Sequence, residues 1–149
     1  MKSLFSEEAY TEINSRIANL SHAQKPEWGK MSISQMLKHC QLPLKVALGK
    51  LQLEKPNAMK RMIFSLFRSS LYNDKPWKKG LPTAKEYVVS EEMDFDKERT
   101  KLLTEIEDFH AKKNQNEWPI HPMFGNFTSV QWGQMQYKHL DHHLRQFGV

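Results

Sequence analysis

Residues 128–147 read TSVQWGQMQYKHLDHHLRQF, and their spacing predicts one long amphipathic helix. Thr128 followed three residues later by Gln131 is a capping box. The threonine oxygen takes an orphan amide of the first turn, and the glutamine side chain reaches back to the amide of the cap. Phe127 and Trp132 stand where the two halves of a hydrophobic staple would be. Trp132, Met135, Gln136, His139, His143, Gln146 and Phe147 recur at steps of three and four, so they share one face. That face starts apolar and runs on through two imidazoles, which should turn it toward the interior of a bundle.

The same start signal appears once more upstream. Ser32-Ile33-Ser34-Gln35 is a second capping box, with Met31 and Met36 as its staple pair. The helix it opens carries Ile33, Met36, Leu37, Cys40, Leu44, Ala47, Leu48 and Leu51 as apolar positions. Pro43 lies inside it, and its ring opposes the carbonyl of His39, so a kink or a break is expected there. A first helix reads from Ser6 to Leu20, with Ala9, Tyr10, Ile13, Ile17 and Leu20 on one face. Glu7 and Glu8 there oppose the positive helix end. A fourth reads from Asp94 to Lys112, with Phe95, Leu102, Leu103, Ile106 and Phe109 aligned.

Between the second and fourth helices, Ala58 to Leu71 carries a stripe of Met59, Met62, Ile63, Leu66, Phe67 and Leu71. It reads as a shorter helix set to the side of the bundle. The loop Asn73 to Ser90 holds Pro76, Gly80 and Pro82, with Tyr87-Val88-Val89 as a brief extended piece. A second loop spans Asn114 to Phe127. Loops this long often carry function. The expectation is an all-α, single-domain four-helix bundle over residues 1–149, with an additional short helix and long loops.

Composition agrees with a folded chain. Apolar residues make up 39% and charged residues 26%, enough for one core and too apolar for disorder. The eight methionines fit flexible core packing. Formal net charge is +5, and the excess is local. Lys50 to Lys85 holds nine Lys or Arg against two acids, whereas Ser90 to Asp108 holds eight acids against three bases. An unevenly charged solvated surface accounts for this. No aromatic-basic interleaving or zinc finger points to nucleic acid, and none is expected as a partner. No segment nears the roughly 20 apolar residues of a membrane span, so no membrane partner is expected. The single cysteine, Cys40, cannot form an internal disulfide, and the first residues lack a leader pattern, so a cytoplasmic location is expected.

Chemistry concentrates on histidine. His139 and His143 would give a metal two ligands from one rigid helix, and imidazole suits zinc, nickel, copper or iron. Catalytic zinc takes three protein ligands and keeps one position open. His39, on the inward face of the second helix, is the third candidate. An i,i+4 histidine pair can also be a surface accident or a pair of satisfied core residues. His142 could replace His143, although it should face the helix flank. Asp141 should face solvent and pair with Arg145, and Cys40 should be a small buried hydrophobe. His121, in the loop before the last helix, could serve as proton donor or substrate contact, or merely bind a turn. His22 and His110 near helix ends suggest no catalysis. Phosphate-binding glycine loops, G-x-S-x-G and H-E-x-x-H are absent.

A histidine on the second helix joined to H-x-x-x-H on the last resembles the DinB-like superfamily, including metalloenzymes of the YfiT type. The specific part is His121-Pro122-Met123-Phe124-Gly125, Thr128, Gln131-Trp132-Gly133 and His139 to Gln146, together with Trp28 to His39. The resemblance implies a four-helix bundle with His39, His139 and His143 on zinc or nickel, or iron, beside a pocket. It implies a homodimer as well. Relatives include thiol S-transferases, a mycothiol-dependent isomerase and proposed hydrolases. Two readings follow. One is a metal-dependent transferase or hydrolase acting on a small molecule, with a low-molecular-weight thiol such as bacillithiol suiting the basic segment. The other is a non-catalytic bundle that binds a small ligand.

Overall fold

Each helix begins at a short polar side chain that accepts an amide of the first turn. Ser6, Ser32, Asn57, Asp94 and Thr128 cap α1 (Glu7–Ala18), α2 (Ile33–Ala47), α3 (Ala58–Phe67), α4 (Phe95–His110) and α5 (Ser129–Gln146). Both capping boxes are closed in both directions. The structure, a computed structural model that describes residues 1–149, contains no strand, only an isolated bridge between His121 and Gly125.

The four long helices form the bundle. α2 packs most extensively along α4, and α5 lies against both α1 and α2. Their apolar faces meet in one core, in which Trp132, Phe109, Phe147, Leu4, Ile13, Ile17, Met36, Leu37 and Ile106 are fully buried. The bundle is tied together by buried polar links as well. Gln41 of α2 donates to the carboxylate of Glu98 on α4 at 2.8 Å, and Glu98 also meets Lys101 at 2.6 Å. The chain before α1 crosses α5 closely, with the Leu4 amide donating to the Gly133 carbonyl at 3.0 Å. A Cβ at Gly133 would lie 2.2 Å from Ser3 Oγ and 2.6 Å from Phe5, so only glycine allows this approach.

Of the kink or break expected at Pro43, the break does not occur: α2 runs through Pro43 from Ile33 to Ala47 and neither ends nor restarts. The helix interior loses one amide there, and the Gln136 side chain donates to the Pro43 carbonyl at 3.1 Å. Of the expected extended piece Tyr87-Val88-Val89, Tyr87 instead closes a short 3-10 turn, Lys85–Tyr87, and extended backbone begins at Val88. The end of the third segment, Arg68–Leu71, is likewise a 3-10 turn continuing from α3. α3 stands beside the bundle and buries no residue.

Candidate metal centre

His39, His139 and His143 are brought together at one place in the bundle. One ring nitrogen from each lies within 4.8 Å of the others, and all three residues are buried. α5 supplies His139 and His143 one turn apart, and α2 brings His39 across to them. The ring centroids of His39 lie 5.1 Å from His139 and 4.7 Å from His143.

Hydrogen bonds fix which nitrogen each ring presents. His39 Nδ1 lies 2.8 Å from the Tyr87 carbonyl, which can only accept, so Nδ1 carries the proton and Nε2 keeps its lone pair. His143 Nδ1 lies 2.8 Å from the Gln146 side-chain oxygen, with the same result. Backbone or side-chain carbonyls on the far ring nitrogen are the usual support of a metal-bound imidazole. His39 Nε2 and His139 Nε2 are 3.1 Å apart. Two nitrogens bound to one tetrahedral ion at about 2.0–2.1 Å would stand about 3.3 Å apart, so the pair is already at ligand spacing. Nδ1 of His139 is buried with no partner. Without an ion, the His139 proton sits on Nε2 and is donated to the His39 Nε2 lone pair; with a cation between the two Nε2 atoms, that proton moves to Nδ1, where the protein offers it no acceptor.

Burial disfavours imidazolium throughout the cluster. It lowers the pKa of His39, and of His143 to about 3, with His39 nearby adding to the second shift. His139 is pushed well below the usual value, first by burial and then by its neighbours His143 and His39. All three rings are therefore neutral near pH 7, the form that binds metal.

Gln146 is a residue that motif reading passed over. It is buried, accepts from His143 Nδ1, and donates from its amide nitrogen to the Trp28 carbonyl at 2.6 Å. The loop carrying Trp28 is tied to the same residue again, since the Glu27 amide donates to the Gln146 carbonyl at 2.8 Å. Gly29 follows with φ +84°, and a Cβ there would sit 2.5 Å from the Gln146 amide nitrogen. The tight loop before α2 thus clamps the glutamine that orients His143.

The cluster opens on a cavity of about 320 Å³, within the size range of small-molecule sites. Trp28, Trp77, Tyr87, Phe124 and Met135 form much of its apolar wall, and no carboxylate lines it. Trp77 comes from the 73–90 loop and stands 5.9 Å from the His139 ring. His142 does not join the ligand cluster. It is half-buried on the cavity wall between Trp28 and Trp77, at 5.9 Å and 5.7 Å.

His121 also lines the cavity, so the loop does reach it. Its Nδ1 accepts from the amides of Met123 and Phe124 at 3.2 Å and 3.4 Å, which puts the proton on Nε2. Burial lowers its pKa to about 4. It can therefore offer a neutral N–H donor, and it is not an imidazolium acid near pH 7. Cys40 is buried away from the cavity wall, with burial pushing its thiol up. Asp141 pairs with Arg145 as expected, at 2.9 Å, but it is only partly exposed because Arg16 of α1 also reaches it at 2.8 Å. His110 is structural: it holds the Leu4 carbonyl at 2.8 Å and Glu7 at 3.1 Å. His22 is exposed beside Phe95.

One family profile, described as a protein of unknown function (DUF1569), matches residues 3–148. No curated protein and no solved structure matches the chain.

Proposed function

Given that this chain belongs to the DUF1569 family of proteins of unknown function, we propose that it is a metal-dependent enzyme that joins a small thiol to an apolar electrophile. The observation that carries the reading is the set of three buried, neutral imidazoles, with one ring nitrogen of each within 4.8 Å of the others, in the wall of a largely apolar cavity. A purely structural zinc site is usually closed by four protein ligands. Here three converge, and the next wall is open space.

We take the bundle as a branch of the DinB-like superfamily. The support is the arrangement itself, one histidine on α2 and an i,i+4 pair on α5. His39, His139 and His143 would hold zinc or nickel, and the ion would supply Lewis acidity that makes a thiol or water acidic near neutral pH.

This chain's residues divide the remaining work. The Tyr87 carbonyl and Gln146 hold two of the imidazoles in the required tautomer. Trp28, Trp77 and Phe124 exclude water and receive the apolar part of the electrophile. His121 presents a neutral N–H to an acceptor atom on the substrate. Thiol transfer is favoured over hydrolysis because the cavity wall contains no carboxylate to serve as general base. A thiol needs only a modest pKa shift to ionise, and Cys40 is too buried to be that thiol, so the nucleophile comes from outside.

The test is metal content by mass spectrometry on untagged protein, beside the His143→Ala variant. Near-stoichiometric zinc or nickel in the parent and its loss in the variant is the expected result. A screen of bacillithiol, glutathione and coenzyme A against a chloroaromatic electrophile then reads thioether and chloride release. No metal after reconstitution with zinc, nickel and iron would overturn the enzyme reading and leave a bundle that binds a small apolar ligand.

A further inference from the structure

α3 displays an apolar stripe to solvent. Met59, Met62, Ile63, Leu66 and Phe67 fall at i, i+3, i+4, i+7 and i+8, one continuous face. They are 66%, 66%, 46%, 76% and 60% exposed. The opposite side of the helix makes the contacts with the body. Phe64 meets Phe124 at 5.8 Å between ring centroids, and Arg68 lies 4.9 Å over the Phe127 ring and donates to the Asn126 carbonyl. The helix is thus anchored by Phe64 and Arg68 with its greasy face outward. An exposed patch of five large side chains in a row is not the scatter of single apolar residues normal on a surface.

Charge decides what covers it. From Lys55 to Arg68 the chain carries four cations and no carboxylate. Lys55, Lys60 and Arg61 are exposed and take no part in the ion pairs around them, where Lys50 and Lys85 are satisfied by Glu105, Asp108 and Glu54. Two copies meeting stripe to stripe would bring these cations together with no local acid to offset them. A surface that is apolar inside and anionic at its rim complements both features.

We propose that α3 docks this protein on an anionic phospholipid surface, the stripe entering the headgroup–acyl boundary and Lys55 and Lys60, at its start and flank, meeting lipid phosphates. Short helices with an apolar face and basic flanks lie in the interface plane in this way. This revises the expectation of no membrane partner, which rested on the lack of a spanning segment. No helix here is long and apolar enough to cross a membrane, and none is needed for this mode.

The experiment is co-sedimentation of the full chain with vesicles of phosphatidylglycerol and phosphatidylcholine, or of phosphatidylcholine alone. The parent is compared with Leu66→Glu and with the double variant Lys55→Gln, Lys60→Gln. All three sites are exposed, and helical circular dichroism checks the fold. Expected are binding to the anionic vesicles that weakens with salt, a loss of at least tenfold in Leu66→Glu, and about twenty-fivefold loss in the double variant, from about fivefold per cation. Three results would each overturn the proposal: no binding to anionic vesicles, binding unchanged in Leu66→Glu, or a solution dimer that Leu66→Glu dissolves while vesicles bind nothing.

Discussion

Replacing Gln146 by leucine keeps most of the side-chain volume and removes both of its polar roles. His143 Nδ1–H loses its acceptor at 2.8 Å, and the Trp28 carbonyl loses its donor at 2.6 Å. Each group left buried without a partner costs about 1–3 kcal/mol, so about 2–6 kcal/mol of stability is at stake before relaxation. The metal is affected separately. Without its carbonyl partner the His143 ring is free to rotate and to shift its proton onto Nε2, and loss of such outer support typically costs 10–100-fold in affinity. The assay is zinc competition against a chromophoric chelator, with thermal unfolding in parallel. Gln146→Glu is the control: it keeps an acceptor for His143 but sets a carboxylate against the Trp28 carbonyl. It should lose stability while holding zinc within a few-fold of the parent. Zinc affinity in Gln146→Leu within twofold of the parent, in a protein still folded, would refute the idea that Gln146 orients a ligand.

Gly133→Ala should destabilise the fold by about 1–3 kcal/mol through overpacking against Ser3 and Phe5, yet leave metal stoichiometry intact; chemical denaturation and metal analysis read the two separately. His121 should stay neutral, with its proton on Nε2, down to about pH 4, as read by nitrogen chemical shifts. Because its folded pKa lies below the unfolded 6.5, the unfolded chain binds the extra proton. His121 therefore costs stability as pH falls from about 6.5 to about 4, by about 3 kcal/mol at most, and His121→Phe should flatten that part of the stability curve. Glu98 runs the other way. Burial works to raise its pKa, but the Lys101 ammonium and the Gln41 amide overcome this and hold it below the usual 4.5. Its contribution is complete above pH 4.5 and fades as pH drops through the folded value, so Glu98→Gln should lose stability at neutral pH and converge on the parent in acid.

What could be read from the chain was whatever local physics writes into side chains. The two capping boxes announced α2 and α5 because a cap needs specific polar residues at fixed spacing, and both closed as expected. The i,i+4 histidines were legible for the same reason, since helical geometry alone puts them on one face. The partner of His39 was not legible. It is the main-chain carbonyl of Tyr87, and every residue carries one, so only the path of the 73–90 loop could reveal it. Gln146 was placed on the inward face by its spacing, three residues after His143, but a shared face does not tell which groups its amide joins until the loop at Trp28 closes over it. α3 shows the opposite failure. Its apolar period is the clearest of the five, and a period tells which side chains share a face without telling what that face meets.

That division explains why the sequence points to a metal and stops short of a reaction. The nitrogens that could hold a metal sit on α2 and α5, rigid elements whose register is fixed by core residues such as Met36, Leu140 and Leu144. Rigid placement is what a metal demands, because ligand distances tolerate only tenths of an ångström. The walls that would select a substrate come instead from loops: Trp28 before α2, Trp77 and Tyr87 before α4, Met123 and Phe124 before α5. Changing those loops would alter the cavity without moving an imidazole. A bundle of this kind could keep one three-histidine cluster while its loops vary, and a ligand for this chain would be selected by the shape left between Trp28, Trp77 and Phe124 in the cavity the histidines line.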